Sequence, residues 1–468
     1  MPRIEGLHPN RLPDYSSLSP CYNTLNLRGF TNFKRCISSD NEHETPAAGG
    51  TRFFPRWLGT TFGRREEFFY VYDCGAMNKY AKARDREIEK LVAHVGKRTR
   101  LDLLAISHMH ADHVNGVEKL VTDGAFQVDT IMMPLVGMTE RLLAFASVAR
   151  HDPLSARSPF YRELVADPVS AVSRFDPRNI VLVRRGDGGS PGSGTRDDGP
   201  LDGDPGLLGE GRGFTWKLVG QGTAIERPQK AGVPRVVEIP DSSAARVFAP
   251  GAWEEAWLLA PYVDQEIVKQ TDLFLATLAN KRSMTVKDLE TSLTDAGFVL
   301  NLLADHPGDL KTAYTACHGN LNLTSLCLYS GPAGEVGEPH RCLATHGPWT
   351  STLQNGRVAW LATGDAKLSK VTKCDAFLEH FKGHLDKVST FTLPHHGSAH
   401  DFNEKLLARV KPSFCPVAAD AVKNWQHPAA RVTRAVASAG ALLLVTNANE
   451  TTGVREIALN HAPKGAGS

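Results

Sequence analysis

The feature that most constrains this chain is "LDLLAIS" at 101–107, an apolar run that ends directly in "HMHADH" at 108–113. The run has the length and aliphatic content of a buried strand. The six residues after it crowd three imidazoles and a carboxylate into one turn, and burying such groups without partners costs several kcal/mol. They need a hydrogen-bond network, a proton relay or a metal ion. His108 and His110 stand two apart, so in extended backbone both side chains point the same way. Asp112 and His113 follow where Val114, Val117, Leu120 and Val121 mark the start of a helix, which aims a second pair at a neighbouring point.

Three other apolar runs end in the same chemistry. "FFYVYD" closes on Asp73, "VAWLATGD" on Asp365, and "STFTLPHH" on His395 and His396. Groups placed just past strand ends converge on one edge of a sheet, because the strands are rigid and their following loops share a face. Two donor pairs from one loop suit two divalent ions, about 3.5–4 Å apart in two-metal hydrolases. Imidazole and carboxylate without thiolate favour Zn, with Mn or Fe as alternatives.

Strands alternating with helices predict an α/β layered fold over 51–136 and 311–468. Segment 1–50 is polar, rich in turn formers and weakly defined. Segment 137–310 reads as a large, mainly helical, cap-like insertion, with helices expected at Thr139–Ala149, Trp253–Leu278 and Val286–Leu303. It contains Arg185–Gly213, whose eleven glycines and three prolines predict a flexible loop. His380 and His384 are four apart on an expected helix, which reads as a solvated face rather than a chelate.

Net charge is +2 and charged residues make up 22%, so charge alone gives no field that predicts nucleic-acid or membrane binding. Eight cysteines without a CxxC pair point to a reduced, cytoplasmic setting. No secretory signal and no apolar run of about 18 residues is visible, so no membrane partner is expected.

These motifs resemble the metallo-β-lactamase superfamily. "HMHADH" is similar to its His-x-His-x-Asp-His signature, and "LATGDA", "LPHHGS" and the later His427-Pro428 resemble the hydrolase domain of ComEC-type competence proteins and its standalone relatives. The resemblance covers roughly 65–135 and 315–460. It implies a four-layer αββα sandwich interrupted by the insertion. It also implies that His108 and His110 bind a first metal and that Asp112, His113 and His395 bind a second. Asp365 would bridge the two ions, and Asp73 would support a ligand imidazole from behind. His396 would stand outside the ligand set as a proton donor, with His427 near the pocket as a substrate contact or a helix cap. A third histidine for the first metal would be His318, in a turn that also carries Asn320 and Asn322.

The expected chemistry is hydrolysis by a metal-activated hydroxide, oriented by Asp112 and Asp365, with His396 or His427 protonating the leaving oxygen. The first choice of substrate is a phosphodiester, in nucleic acid or a nucleotide, which makes the chain a phosphodiesterase or nuclease. The alternative is a carboxylic ester, thioester, lactone or β-lactam. Di-iron oxidoreductase chemistry and a non-catalytic sensor are weaker readings, because the three motif histidines are intact and no flavin-binding segment is visible.

Overall fold

Aliphatic runs buried on both sides are strands of a covered sheet, and parallel neighbours need a crossover between them. The computed structural model describes residues 67–186 apart from 98, 207–210, 215–228, 234–248, 257–264, 271–317, 324–333, 341–346, 349–353, 357–419, 421–422, 425–447, 452 and 454–459, with short strands at 34–35, 51–54 and 58–61. Segment 1–50 lies outside the described residues except for Lys34–Arg35, as do His318, Asn320, Asn322 and most of the glycine-rich segment.

In chain order the main strands are β1 (Glu67–Tyr72), β2 (Arg100–Ala105), β3 (Gln127–Pro134), β4 (Asn179–Arg184), β5 (Thr215–Gly220), β6 (Arg235–Pro240), β7 (Ser243–Phe248) and β8 (Trp257–Asp264). They continue as β9 (Ser325–Pro332), β10 (Ala359–Ala362), β11 (Val388–Phe391), β12 (Phe414–Ala418) and β13 (Leu442–Thr446). One mixed sheet runs β6-β4-β3-β2-β1, all parallel, with antiparallel edges at Ile225–Glu226 and at Leu58–Thr61 and Thr51–Phe54. The second runs β13-β12-β11-β10-β9-β8-β7-β5 and ends at Leu207–Glu210. It is parallel from β13 to β10 and antiparallel beyond.

Period-2 alternation assigns the faces. In the second sheet Leu259, Val263, Leu326, Leu328, Trp360 and Ala362 share a core with the first sheet. Their neighbours Ala260, Tyr262, Cys327, Tyr329, Ala359 and Leu361 form another core with Phe377 and Phe381. The two sheets therefore pack face to face as an α/β sandwich, with helices against them. Tyr72 meets Trp360 edge-on at 5.6 Å, and the Tyr70 hydroxyl lies 2.8 Å from Ser330 Oγ. Trp360→Ala, at the centre of that face, would cost about 3–5 kcal/mol.

The helices that bear on the site are α1 (Ala81–Val95), α2 (Ala111–Val114), α3 (Val117–Gly124), α4 (Met138–His151) and α5 (Pro159–Ala166). Segment 137–310 departs from its cap-like reading. Its strands β4 and β6 belong to the first sheet and β5, β7 and β8 to the second, so its described part is woven into both sheets. The helix expected over Trp253–Leu278 is present only from Thr271, in a helix that runs to Lys281, and is corrected over Trp257–Asp264 by β8, which is buried on both faces along its whole length. Its Pro261, a residue rarely tolerated inside a sheet, lies beyond the β7 ladder, which reaches only residues 257–259. The helix expected over Val286–Leu303 is split, because the Asp295 side chain accepts the Phe298 N–H at 2.6 Å and starts a new helix at Ala296. Among the described residues no helix is long and apolar enough to cross a membrane.

Candidate metal centre

Four of the candidate residues follow the C-terminal ends of strands with parallel neighbours, and these four meet at one edge of the sandwich. Asp73 follows β1, His108 follows β2, Asp365 follows β10 and His395 follows β11. The backbone turns sharply to achieve this. Asp73 has φ 59°, Gly364 φ 50°, and His395, His396 and Gly397 are three consecutive left-handed residues at 44°, 54° and 76°. Left-handed backbone is costly for histidine and persists where the surroundings enforce it. Here the His395 N–H is bonded to the Gly364 carbonyl at 3.0 Å, which ties the two ligand loops together. Gly75 is obligatory for space: a Cβ there would stand 2.5 Å from the Asp112 backbone.

The geometry of the imidazoles carries the site. His113 Nδ1 lies 2.9 Å from Asp73 Oδ2, and His396 Nδ1 lies 2.8 Å from the Ala418 carbonyl. His395 Nδ1 faces Asp401 Oδ2 at 2.7 Å. Ser107 donates its hydroxyl proton to Asp73 Oδ2 at 2.6 Å, so its oxygen can accept from His108 Nδ1 at 3.0 Å. These contacts hold the protons on Nδ1 and leave the four Nε2 atoms to point inward. All four point at one carboxylate. Asp365 Oδ2 faces His108 Nε2 at 3.4 Å and His395 Nε2 at 3.6 Å, while Oδ1 faces His113 Nε2 at 3.6 Å and His396 Nε2 at 3.8 Å.

Among the described residues two groups of donors able to hold a metal ion result: His108, His110 and Asp365, and Asp112, His113 and His396. The second group differs from the set that the resemblance implied: His396 rather than His395 stands with Asp112 and His113. Consecutive left-handed residues turn the His396 ring toward Asp112, 3.9 Å away, and leave His395 beside Asp365 Oδ2 but outside both groups. His427 lies at the rim with its ring centroid 6.0 Å from that of His395. His318 lies outside the described residues.

The donor set fits divalent ions. His108 Nε2 and His110 Nδ1 are 3.2 Å apart, close to the ~3.3 Å expected of two tetrahedral ligands at about 2.0–2.1 Å from zinc. His113 Nε2 is buried with no hydrogen-bond partner among the described residues, as an imidazole aimed at a cation would be. The described cysteines, Cys74, Cys317, Cys327, Cys374 and Cys415, are buried and belong to neither group.

The electrostatics of the metal-free groups show the same tension. Burial pushes the Asp365 carboxyl up, but His395, His108, His113 and His396 together hold it well below the usual carboxylate range. Burial opposes a proton on His113, yet Asp365 and Asp73 outweigh it and raise the imidazole to about 10. His395 rises to about 9, with Asp365 and Asp401 overcoming its burial. Burial, helped by His108, lowers His110 to about 3. Protons on His113 and His395 thus balance the carboxylates, a role that cations take over when metal binding displaces protons.

Sequence reasoning missed Asp401, Ser107 and the Ala418 carbonyl, which orient the rings. Asp401 had a readable signal, a carboxylate at the end of "HHGSAHD". The backbone carbonyl had none. Searches of protein-family models and of curated proteins found no match to this chain.

Proposed function

We propose that this chain is a metal-dependent hydrolase of the metallo-β-lactamase superfamily, with a four-layer αββα sandwich, acting on phosphodiesters in nucleic acid or nucleotides. One observation carries the reading: four imidazoles direct Nε2 at the two oxygens of Asp365, three of them held by a hydrogen bond at Nδ1 and His395 by the close approach of its Nδ1 to Asp401. A carboxylate shared in this way splits the donors into two adjacent groups, and a phosphodiester has two non-bridging oxygens, one for each.

Two divalent ions, zinc or alternatively manganese or iron, would be held by His108, His110 and Asp365 and by Asp112, His113, His396 and Asp365. When bound they would supply Lewis acidity, polarising the phosphoryl oxygens and making nearby water acidic. The chain's own residues do the rest. Asp112 and Asp365 orient the attacking water. Asp73 and the Ala418 carbonyl keep His113 and His396 in the tautomer with Nε2 free. With His396 in a donor group, the proton for the leaving oxygen falls to His395, oriented by Asp401, with His427 beside it.

The test is a substrate panel of single-stranded DNA, duplex DNA, RNA, cyclic dinucleotides and generic esters, run with Zn²⁺ and with Mn²⁺. Phosphodiester cleavage by the wild type and none by Asp112→Ala is expected. Turnover of esters or thioesters alone would move the reading to the carboxylic-ester alternative. Chelator-free protein without metal would end it.

A further inference from the structure

The described part of segment 137–310 supplies no donor to either group, yet two of its fully buried polar side chains reach the ligand loops. Tyr161, on α5, is 0% exposed, and its hydroxyl donates to the Met109 carbonyl at 3.0 Å. Met109 is the residue between His108 and His110, and its carbonyl direction sets how the two rings splay. Asp264, the last residue of β8, is also 0% exposed. Its Oδ2 accepts the Lys367 N–H at 2.6 Å and its Oδ1 the Lys373 ammonium at 2.8 Å. Across the β8–β9 ladder Asp264 is paired with Ser325, whose hydroxyl accepts the Asp365 N–H at 3.1 Å. Asp264 and Ser325 thus hold the amides on either side of Ala366, and with them the loop that presents Asp365.

Neither contact is explained by stability alone. A buried ion pair is weak support for a fold, because desolvation offsets much of its attraction. Tyr161 already packs its ring against Phe145 at 6.0 Å, so the core does not need the hydroxyl. We infer that Tyr161 and Asp264 are positioning residues of the metal centre, through which segment 137–310 fixes the geometry of both donor groups. This inference rests on the two-ion reading above. Tyr161 acts on the His108/His110 group alone. Asp264 acts on both ions, because in that reading both are held by Asp365.

The experiment measures metal content, chelator-competition affinities and the cobalt(II) d–d spectrum of wild type, Tyr161→Phe and Asp264→Asn. Melting of the chelated proteins monitors the fold, and Phe145→Leu serves as a variant that disturbs the same packing without touching the loop. Removing supporting contacts typically weakens metal binding by about 10- to 100-fold. The expected pattern is a loss of about tenfold at one ion in Tyr161→Phe and at both ions in Asp264→Asn, each with an altered cobalt spectrum. If Asp264→Asn fails to fold, Ser325→Ala tests the same loop and should weaken both ions. Two ions bound with wild-type affinity in the variants, or an equal loss in Phe145→Leu, overturns this inference and leaves the two-ion reading standing. No metal in the wild type overturns both.

Discussion

His108 with His110 and His380 with His384 are both close-spaced histidine pairs, the first in the loop after β2 and the second at the end of a helix and in the turn after it, yet the chemistry around them is opposite. His380 is buried, its Nε2 lies 3.0 Å from the Pro261 carbonyl, and its ring meets Tyr262 at 4.9 Å. His384 is buried against the Tyr329 ring at 4.8 Å. In the first pair, Nε2 of His108 and Nδ1 of His110 lie 3.2 Å apart, and the carboxylate of Asp365 is close by. The lesson is that spacing alone does not make a chelate. What separates the pairs is where the ring nitrogens end. At 380 a carbonyl takes the ring's proton, and at 108–113 and 395–396 the inward nitrogens face a shared anion.

That comparison breaks most completely at Asp365. Asp365→Ala removes the carboxylate on which four imidazoles converge, and which the proposed two-ion reading shares between both ions, so bound metal should fall to one ion or none. The loss of several kcal/mol of transition-state stabilisation corresponds to about 10³-fold or more in rate. Elemental analysis beside a phosphodiesterase assay checks both parts. Retention of two tightly held ions would mean that the convergence of imidazoles on Asp365 is not what holds metal.

Splitting the two adjacent histidines sharpens the comparison further. His396→Ala should cost one ion. His395→Ala should keep both ions and lower kcat by about 10²-fold, the lower end for loss of a positioned proton donor. The reverse result, with metal lost from His395→Ala, would restore the ligand order that the resemblance implied. Asp73→Asn should be milder, with metal affinity falling by about 10- to 100-fold, because the ring of His113 loses the acceptor that fixes its tautomer. Chelator competition reads this directly.

Much of this arrangement was legible before any coordinates. The strand ends at Asp73, His108, Asp365 and His395 could be placed because an aliphatic run followed by a polar cluster is a local pattern. That His396 rather than His395 comes to stand beside Asp112 and His113 was not legible. It depends on three consecutive left-handed residues and on the Ala418 carbonyl, which comes from the neighbouring strand β12. The strands within 137–310 were missed for a related reason. β4 stands between Arg178 and Arg185 and β6 opens on Arg235 and closes on a proline, and their place in the first sheet comes from pairing with β3 and with each other. β8 carries a proline and an aliphatic run that could equally be a helix until its neighbours β7 and β9 are known. Asp401 was visible as a residue, but its role depends on the turn that folds it back onto His395.

The smallest effect on metal should come from the pair that a spacing rule alone would favour. His380 and His384 could both reach one ion from the i and i+4 positions of a regular helix, which is why the pair invites a metal reading. The structure removes that option in two steps. The helix ends at His380 and His384 lies beyond it in a separate turn, so the rings do not share a helical face. Both are also packed into the aromatic core formed by Tyr262, Tyr329, Phe377 and Phe381, where a cation would meet no carboxylate from either donor group. His380→Ala therefore leaves metal content at the wild-type value. It opens a cavity beneath Tyr262 and leaves the Pro261 carbonyl without its donor, for a combined stability cost of about 2–4 kcal/mol. Urea titration of the metal-loaded protein should show a lower midpoint with an unchanged number of bound ions. A drop in bound metal with no change in the midpoint would place a ligand where the fold puts a core histidine, and the contrast between the two pairs would fail.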